Sequence, residues 1–263
     1  MTRTDDLRWL IAELTRERGL GASHTCDDDE RELFDLFRAL VNTREAIPAS
    51  EKFLEVQNRV LGGMIKEAGI ADAAALPHVP LDARISLWRG DITTLRADAI
   101  VNAANSQMLG CWVPGHHCID NAIHTFAGVQ LRLECATLME AQGYPEPTGM
   151  AKATGAFNLP ARFIVHTVGP IVNGGATATD ARLLANCYES CLEAAAELGC
   201  LSIAFCCIST GVFGFPQEAA AAIAVGSVLA WLDHHDSALH VVFNVFTDAD
   251  ERIYHELLFN AAR

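Results

Sequence analysis

From about residue 81 onward, short apolar runs alternate with longer segments of helical periodicity. The predicted strands are Ile85–Trp88, Ala99–Asn102, Phe163–Thr167, Ile203–Ile208 and Val241–Val245, with Ala153–Phe157 as a further candidate. The predicted helices are Ile119–Ala141, Asp180–Leu198, Pro216–Leu232 and Asp248–Ala261. Because strands that alternate with helices join into largely parallel sheets, this pattern predicts an α/β domain.

Residues 1–80 carry a different, mainly helical pattern. The three predicted helices are Asp5–Arg18, one opened by Asp27, Asp28 and Asp29, and one that begins after Pro48 and Ser50 and ends near Gly69. A short linker bracketed by Pro77 and Pro80 follows. Three short helices make a thin core on their own. We therefore predict that residues 1–80 are a helical extension packed on a main domain of residues 81–263; an independent binding module is the alternative.

Charge and cysteine content limit the classes of function. The formal net charge of −14 argues against broad binding to DNA or RNA, although backbone N–H groups can still hold a small anion. The sequence contains no run of about 18 apolar residues, so no membrane span is predicted. The first 20 residues are polar and charged, unlike a signal peptide, and nine cysteines then indicate reduced thiols in a cytoplasm.

Metal-binding side chains are concentrated between Leu109 and His124. This stretch contains Cys111, His116, His117, Cys118 and Asp120. Thiolate and imidazole groups suit Zn²⁺. Two cysteines and one histidine give three ligands, which leaves a position open for water or substrate. His116 and Cys118 are two residues apart and can face the same side of an extended loop, which favours His116 over its rival His117; a loop without metal is the other interpretation.

Three further segments follow predicted strands, where α/β folds place ligands. They are G-D-I-T (90–93), V-N-A-A-N-S (101–106) and I-S-T-G-V-F-G-F-P (208–216). Asp91 can accept a hydrogen bond from an exocyclic amine or simply form a turn. Asn102 and Asn105 can bind sugar hydroxyls or cap local backbone.

The third of these segments is rich in glycine and opens a helix. Gly211 and Gly214 allow the backbone to approach a ligand closely. Successive N–H groups next to a helix N-terminus form an anion cradle. The segment matches neither a Walker A loop nor GxGxxG. Of its two aromatic residues, Phe213 and Phe215, one can cover a sugar, and a core-packing role is equally compatible with either.

Taken in order, these motifs resemble the macrodomain family. The matching segments are residues 90–93, 101–105, the I-H-T-F-A-G run at 123–128, H-T-V-G-P at 166–170, and 208–216, so the resemblance spans about 85–260. It implies a three-layer α/β/α sandwich with a mixed sheet. It also implies binding of ADP-ribose, which many members of the family remove from proteins.

The chain departs from the commonest hydrolytic macrodomains after V-N-A-A-N, where they carry a glycine-rich loop. Here that loop is C-W-V-P-G-H-H-C, which is similar to the zinc-dependent subgroup with Cys-x-x-Pro-x-His-x-Cys followed by Ile-Asp-Asn. The resemblance implies one Zn²⁺ per chain on Cys111, His116 and Cys118. The helical leader is also similar to the N-terminal extension of that subgroup.

The resemblance also implies roles for the other site residues. The expected ADP-ribose-binding residues are Asp91, Ile92, Asn105, Ser209, Thr210, Gly211, Val212 and Phe213. Asp91 and the Ile92 N–H would read adenine, residues 209–213 would wrap the diphosphate, and Asn105 and Phe213 would contact the distal ribose. The expected catalytic residues are Asp120, which would orient or deprotonate water or hold a ribose hydroxyl, and Asn105. As an alternative, Asp120 is only a helix N-terminal charge.

The predicted function is therefore zinc-dependent hydrolysis that frees ADP-ribose from mono-ADP-ribosylated protein side chains. Attack at the anomeric carbon, as in a glycosidase, and attack at an ester carbonyl both release ADP-ribose. One alternative is a binding module in which zinc only ties the loop. Another is a hydrolase of a small metabolite such as O-acetyl-ADP-ribose. The expected partners are ADP-ribose and an ADP-ribosylated protein, with no nucleic acid and no membrane.

Overall fold

The structure, a computed structural model, describes residues 2–19 and 29–260. The helices of this part are α1 (Arg3–Glu17), α2 (Glu30–Asn42), α3 (Glu51–Ala68), α4 (Ile119–Ala127), α5 (Val129–Gln142), α6 (Ala178–Glu197), α7 (Gln217–His234) and α8 (Asp248–Phe259). The strands are β1 (Ala71–Asp72), β2 (His78–Val79), β3 (Asp82–Arg89), β4 (Leu95–Arg96), β5 (Ala99–Ala104), β6 (Ala151–Gly155), β7 (Phe163–Val168), β8 (Ser202–Phe205) and β9 (His240–Val245).

Seven of these strands form one mixed sheet in the order β2-β3-β9-β8-β5-β7-β6. The five central strands are parallel, and β2 and β6 join antiparallel at the edges. Ile100, Val101 and Val242 are completely buried, as expected for strands covered on both faces. The alternation of strands and helices therefore correctly predicted an α/β domain, and the mixed sheet agrees with what the resemblance implied. β1 pairs with β4 in a separate two-stranded sheet.

The connections between strands place helices on both faces of the sheet. From β7 through α6 to β8, and from β8 through α7 to β9, the chain moves across the sheet in one direction. From β5 through α4 and α5 it moves the other way, towards β6 and β7. Since such crossovers are right-handed, α4 and α5 lie on the face opposite α6 and α7. This confirms the predicted three-layer α/β/α sandwich.

The first three helices form an apolar cluster of their own against α4 and α5. Their N-caps are Thr2, Asp29 and Ser50, while Asp27 and Asp28 lie outside the described residues. The cluster extends to Val129 of α5, and the rings of Phe34 and Phe126 are 5.8 Å apart. Helix α2 is thereby placed next to the chain that connects β5 to α4.

The prediction of one continuous helix over Ile119–Ala141 is wrong. The chain forms α4 and α5, which meet at Gly128 with φ of +103°. That conformation is almost restricted to glycine. The N–H of Val129, which begins α5, donates to Oε1 of Gln57 at 3.0 Å. The helix break therefore lies where the N-terminal helices attach.

Two other predicted boundaries differ from the structure in smaller ways. The strand predicted over Ile203–Ile208 ends at Phe205, where the glycine-rich loop begins. Pro216 is the N-cap of α7 and lies just outside the helix. Within the two described ranges, no helix is long and apolar enough to cross a membrane.

Replacing Gly128 by alanine should lower the free energy of unfolding by about 1–3 kcal/mol, the usual cost of a strained backbone. The new Cβ would also lie 2.5 Å from Nε2 of Gln57. Gly226 is the matched control, because it lies inside α7 and its new Cβ would meet no described atom within 4 Å beyond the adjacent backbone of that helix. Gly226→Ala should raise stability by about 0.4–1 kcal/mol. Urea unfolding measures both variants, and equal effects would contradict the assignment of the break to Gly128.

Candidate active site

The loops that carry the predicted site residues leave one edge of the sheet. Asp91 follows β3, Ser209 follows β8, Asn105 follows β5 and Gly169 follows β7. Strands β8 and β5 are neighbours whose following connections run in opposite directions. A crevice opens at such a point in an α/β sheet. By this rule, the crevice is expected between the glycine-rich loop, which follows β8, and the cysteine- and histidine-rich loop, which follows β5.

Three soft or borderline ligand atoms converge in the loop between β5 and α4. The ligand atoms of Cys111, His116 and Cys118 all lie within 4.8 Å of one another, and all three residues are partly buried. Sγ of Cys111 is 3.5 Å from Nδ1 of His116. His117 is exposed and does not belong to this group. Two thiols and one imidazole are a donor set suited to a zinc-like ion.

Burial controls the charge of this loop. It raises the pKa of the Cys118 thiol to about 12, and the neighbouring Cys111 adds to the shift. The thiol is therefore protonated at neutral pH unless a cation is bound. A divalent ion displaces that proton because the thiolate is the ligand. Binding of such an ion to this loop would therefore release the Cys118 proton.

Asp120 lies in the first turn of α4 and is only 5% exposed. Its Oδ1 accepts from Nδ2 of Asn102 at 2.8 Å, and its Oδ2 is 3.5 Å from Nδ2 of Asn105. Burial raises the pKa of Asp120 to about 6, although the Asn102 hydrogen bond lowers it. The side chain is thus more than an exposed N-terminal charge, because two amides fix its orientation.

Asn105 mainly shapes the entry to the cysteine- and histidine-rich loop. Its Nδ2 donates to the carbonyl of Gly110 at 3.0 Å, and its Oδ1 accepts from the N–H of Gln107 at 3.0 Å. The sequence left two roles open, capping of local backbone and sugar binding. The structure shows the capping hydrogen bonds and places the same amide beside Asp120.

Beneath the loop lies a neutral, buried cluster. Nδ1 of His166 pairs with Nδ2 of Asn102 at 3.0 Å and its Nε2 pairs with Thr154 Oγ1 at 2.9 Å. Burial lowers the pKa of His166 to about 3 and takes the pKa of His124 well below its usual value. A Cβ on Gly110 would lie 2.8 Å from the His124 ring. These histidines therefore support the loop from below as uncharged side chains.

The glycine-rich loop presents backbone donors. Ser209 is buried with φ of +65°, and its Oγ has no partner among the described residues. The N–H groups of residues 210–213 likewise donate to no backbone or side-chain acceptor in that part of the chain. A Cβ at Gly169 would lie 2.0 Å from Ser209 Oγ, so only glycine fits there. Strained backbone and unused donors together are typical of an anion-binding loop.

The structure distinguishes the two aromatic residues of this loop. Phe215 is 2% exposed and belongs to the core. Phe213 is half-buried, and its carbonyl accepts from the N–H of Val172 at 2.7 Å. Phe213 is therefore the residue that remains available to a ligand.

Asp91 begins the 3₁₀ turn Ile92–Thr94. Its Oδ1 accepts from N and Oγ1 of Thr93 at 2.9 and 2.7 Å, which is a turn-forming role. Its Oδ2 makes no hydrogen bond within residues 2–19 and 29–260, so one carboxylate oxygen is free for a ligand. The two roles that the sequence left open for Asp91, turn formation and ligand binding, are therefore compatible with each other.

The macro domain family model matches residues 101–224 of this chain. A protein-ADP-ribose hydrolase of Treponema medium is 52% identical over 262 residues, covering 98% of this chain and all of the relative. The chain belongs to the macro domain family. A protein-ADP-ribose hydrolase of Staphylococcus aureus is 47% identical to this macrodomain over 251 residues, covering 95% of this chain and 94% of the relative.

A solved structure supports the same fold for this macrodomain. The Trypanosoma brucei macrodomain in complex with ADP-ribose is 34% identical to this chain and superposes with a TM-score of 0.60. The match covers 84% of this chain and 94% of the Trypanosoma brucei chain. That protein therefore shares the overall α/β/α fold described above.

The sequence patterns did not identify one exposed aromatic residue of this macrodomain as a candidate site residue. Phe246 directly follows β9 and is 72% exposed. It lies beside the Asp91 turn, because the N–H of Gly90 donates to the carbonyl of Val245 at 3.1 Å and Asn244 Nδ2 donates to the carbonyl of Gly90 at 2.9 Å. The signal available in the sequence was a large aromatic residue immediately after the last strand.

Replacing each of the two adjacent histidines by alanine should affect metal binding very differently. His116→Ala should weaken binding of Co²⁺ more than about 100-fold, since loss of even an outer-shell partner of a metal site costs about 10–100-fold. His117→Ala should bind like the wild type, because this side chain lies outside the cluster. Titration of the thiolate-to-metal absorption band measures both. If Co²⁺ binding were weakened only in His117→Ala, the ligand would be His117 and not His116.

Proposed function

We propose that this macrodomain is a zinc-dependent hydrolase that releases ADP-ribose from mono-ADP-ribosylated protein side chains. The observation that carries the proposal is the position of the Cys111, His116 and Cys118 cluster next to an anion cradle at one edge of the sheet. The activity named for two relatives that match nearly the whole chain supports it.

ADP-ribose would lie across the sheet edge. Asp91 Oδ2 and the Ile92 N–H would bind adenine after β3, and the N–H groups of residues 209–213 would hold the diphosphate after β8. Asn105 and Phe213 would contact the distal ribose. Three strand spacings separate β3 from β5, which is about 14 Å, so the cradle lies between the adenine and metal ends of an elongated ligand.

Cys111, His116 and Cys118 would hold one Zn²⁺, and three protein ligands leave a position for substrate or water. Zinc supplies Lewis acidity, which draws electron density from an oxygen at the bond to be cut. Asp120 would orient or deprotonate the attacking water. Asn102 contributes indirectly, since its 2.8 Å hydrogen bond fixes the Asp120 carboxylate. Attack at the anomeric carbon and attack at an ester carbonyl both fit this arrangement.

The chain as a whole would have two parts. Residues 1–80 would be an extension that covers the α4–α5 side of a macrodomain of residues 81–263.

The eight cysteines that the structure describes are all free thiols. This supports the expected setting in a reducing cytoplasm.

Removing the carboxylate of Asp120 should abolish most of the activity and spare ligand binding. Asp120→Ala should lower kcat for release of ADP-ribose from a mono-ADP-ribosylated protein by about 10²–10⁴-fold, the usual contribution of a general base. Cys118→Ala should lose both zinc and activity. Asp233→Asn is the control, because this carboxylate is 71% exposed and pairs with Arg84. Chromatographic assay of free ADP-ribose, with calorimetry of ADP-ribose binding, separates the effects.

Two outcomes would replace the proposal. Zinc-loaded wild type that binds ADP-ribose and releases none would identify a binding module. Faster turnover of O-acetyl-ADP-ribose than of the protein-linked form would identify a hydrolase of a small metabolite.

A further inference from the structure

We propose that helix α2 is part of the metal site, with Arg38 and Asn42 as positioning residues for the loop of residues 110–118. The loop that binds the metal would then take its shape from a helix outside the seven-stranded sheet. This inference rests on the proposed function, since it assigns the residues that prepare the same metal centre.

The loop has little structure of its own. Residues 111–118 form neither helix nor strand, and Val113, Pro114 and His117 are exposed. Gly115 adopts a φ of +64°. A segment with few buried apolar contacts is held by its hydrogen bonds. The partners of those bonds therefore determine how closely the three ligands approach one another.

Arg38 makes hydrogen bonds beside two of the three ligands. Its Nη2 donates to the carbonyl of His116, and its Nε donates to Oδ1 of Asn121, both at 2.9 Å. Asn121 in turn donates through its N–H to Sγ of Cys118 at 3.4 Å and through Nδ2 to the carbonyl of Val113 at 3.2 Å. One planar guanidinium thus holds the backbone of one ligand, His116, and the side chain of Asn121, which in turn holds the loop backbone at Val113.

Asn42 fixes the middle of the loop. It is 1% exposed, and its Oδ1 accepts from the N–H of Gly115 at 3.1 Å. Its Nδ2 donates to Oγ1 of Thr125 in α4 at 3.1 Å. The same amide therefore relates the loop to the helix that follows it.

Helix α2 is itself held rigidly. Arg132 of α5 donates to the carbonyls of Val41 at 3.1 Å, Asn42 at 2.8 Å and Arg44 at 2.5 Å. Its Nε donates to the carbonyl of Leu109 at 2.7 Å, where the loop begins. The Trp112 ring lies 4.2 Å from the same guanidinium. Outer-shell groups that are fixed in this way orient metal ligands and raise affinity.

The test compares variants of Arg38 with a residue of the same type on the same helix. Arg38→Met removes both hydrogen bonds, and Arg38→Lys keeps the charge but cannot bridge the two acceptors. Asn42→Leu removes the bond to Gly115. Arg31→Met is the control, because this side chain is exposed near the start of α2.

Zinc affinity by competition with a chromogenic chelator should fall about 10–100-fold in Arg38→Met and Asn42→Leu, and less in Arg38→Lys. The Co²⁺ spectrum should change in the first two variants. Arg31→Met should match the wild type. Urea unfolding with zinc removed identifies any variant that has lost its fold, and affinity is compared only among folded proteins.

The outcomes separate this inference from the proposed function. Folded Arg38→Met and Asn42→Leu with wild-type zinc affinity and an unchanged Co²⁺ spectrum would overturn it, whatever the hydrolase assay shows. A wild type that binds zinc but releases no ADP-ribose would contradict the hydrolase and leave the inference standing. A wild type that binds no zinc would contradict both.

Discussion

The Arg132 guanidinium connects the sandwich, the N-terminal helices and the loop that carries Cys111, His116 and Cys118. It is 5% exposed and donates to four backbone carbonyls, three of them at or just beyond the C-terminal end of α2. The last carbonyls of a helix have no partner inside the helix and carry a partial negative charge. A buried cation that binds them satisfies both groups, whereas loss of either partner leaves buried polar groups unpaired.

The parts of the fold that were predicted correctly are those with strong local signals. The central strands are buried on both faces, so Ile100, Val101 and Val242 belong to near-continuous apolar runs. Helix α3 begins after Ser50, whose side chain caps it. The exception is Gly128. A glycine inside a helical pattern does not by itself indicate whether the helix breaks there, because a tertiary contact also contributes. Here that contact is the Gln57 side chain on Val129.

The same reasoning explains what was predicted of the site. Cys111, His116 and Cys118 are close in sequence, so their spacing alone suggested that their ligand atoms could converge. The roles of Arg38 and Asn42 could not be read in this way, because they lie 78 and 73 residues before the loop atoms that they contact. Phe246 was missed since its position beside the Asp91 turn depends on the pairing of β3 with β9. Asn105 was ambiguous because an amide can shape a turn and face a ligand at once.

The distance in sequence between α2 and the loop has a consequence for the order of folding. A contact that spans more than 70 residues cannot form until the intervening chain has been drawn together, and this closure carries an entropic cost. The helices of the first 68 residues leave the ribosome before the loop does, so the surface that receives it is already synthesised when residue 118 emerges. Under the inference above, the loop would then acquire its shape by docking onto that surface. Residues 110–118 grafted onto another sandwich would lack that surface.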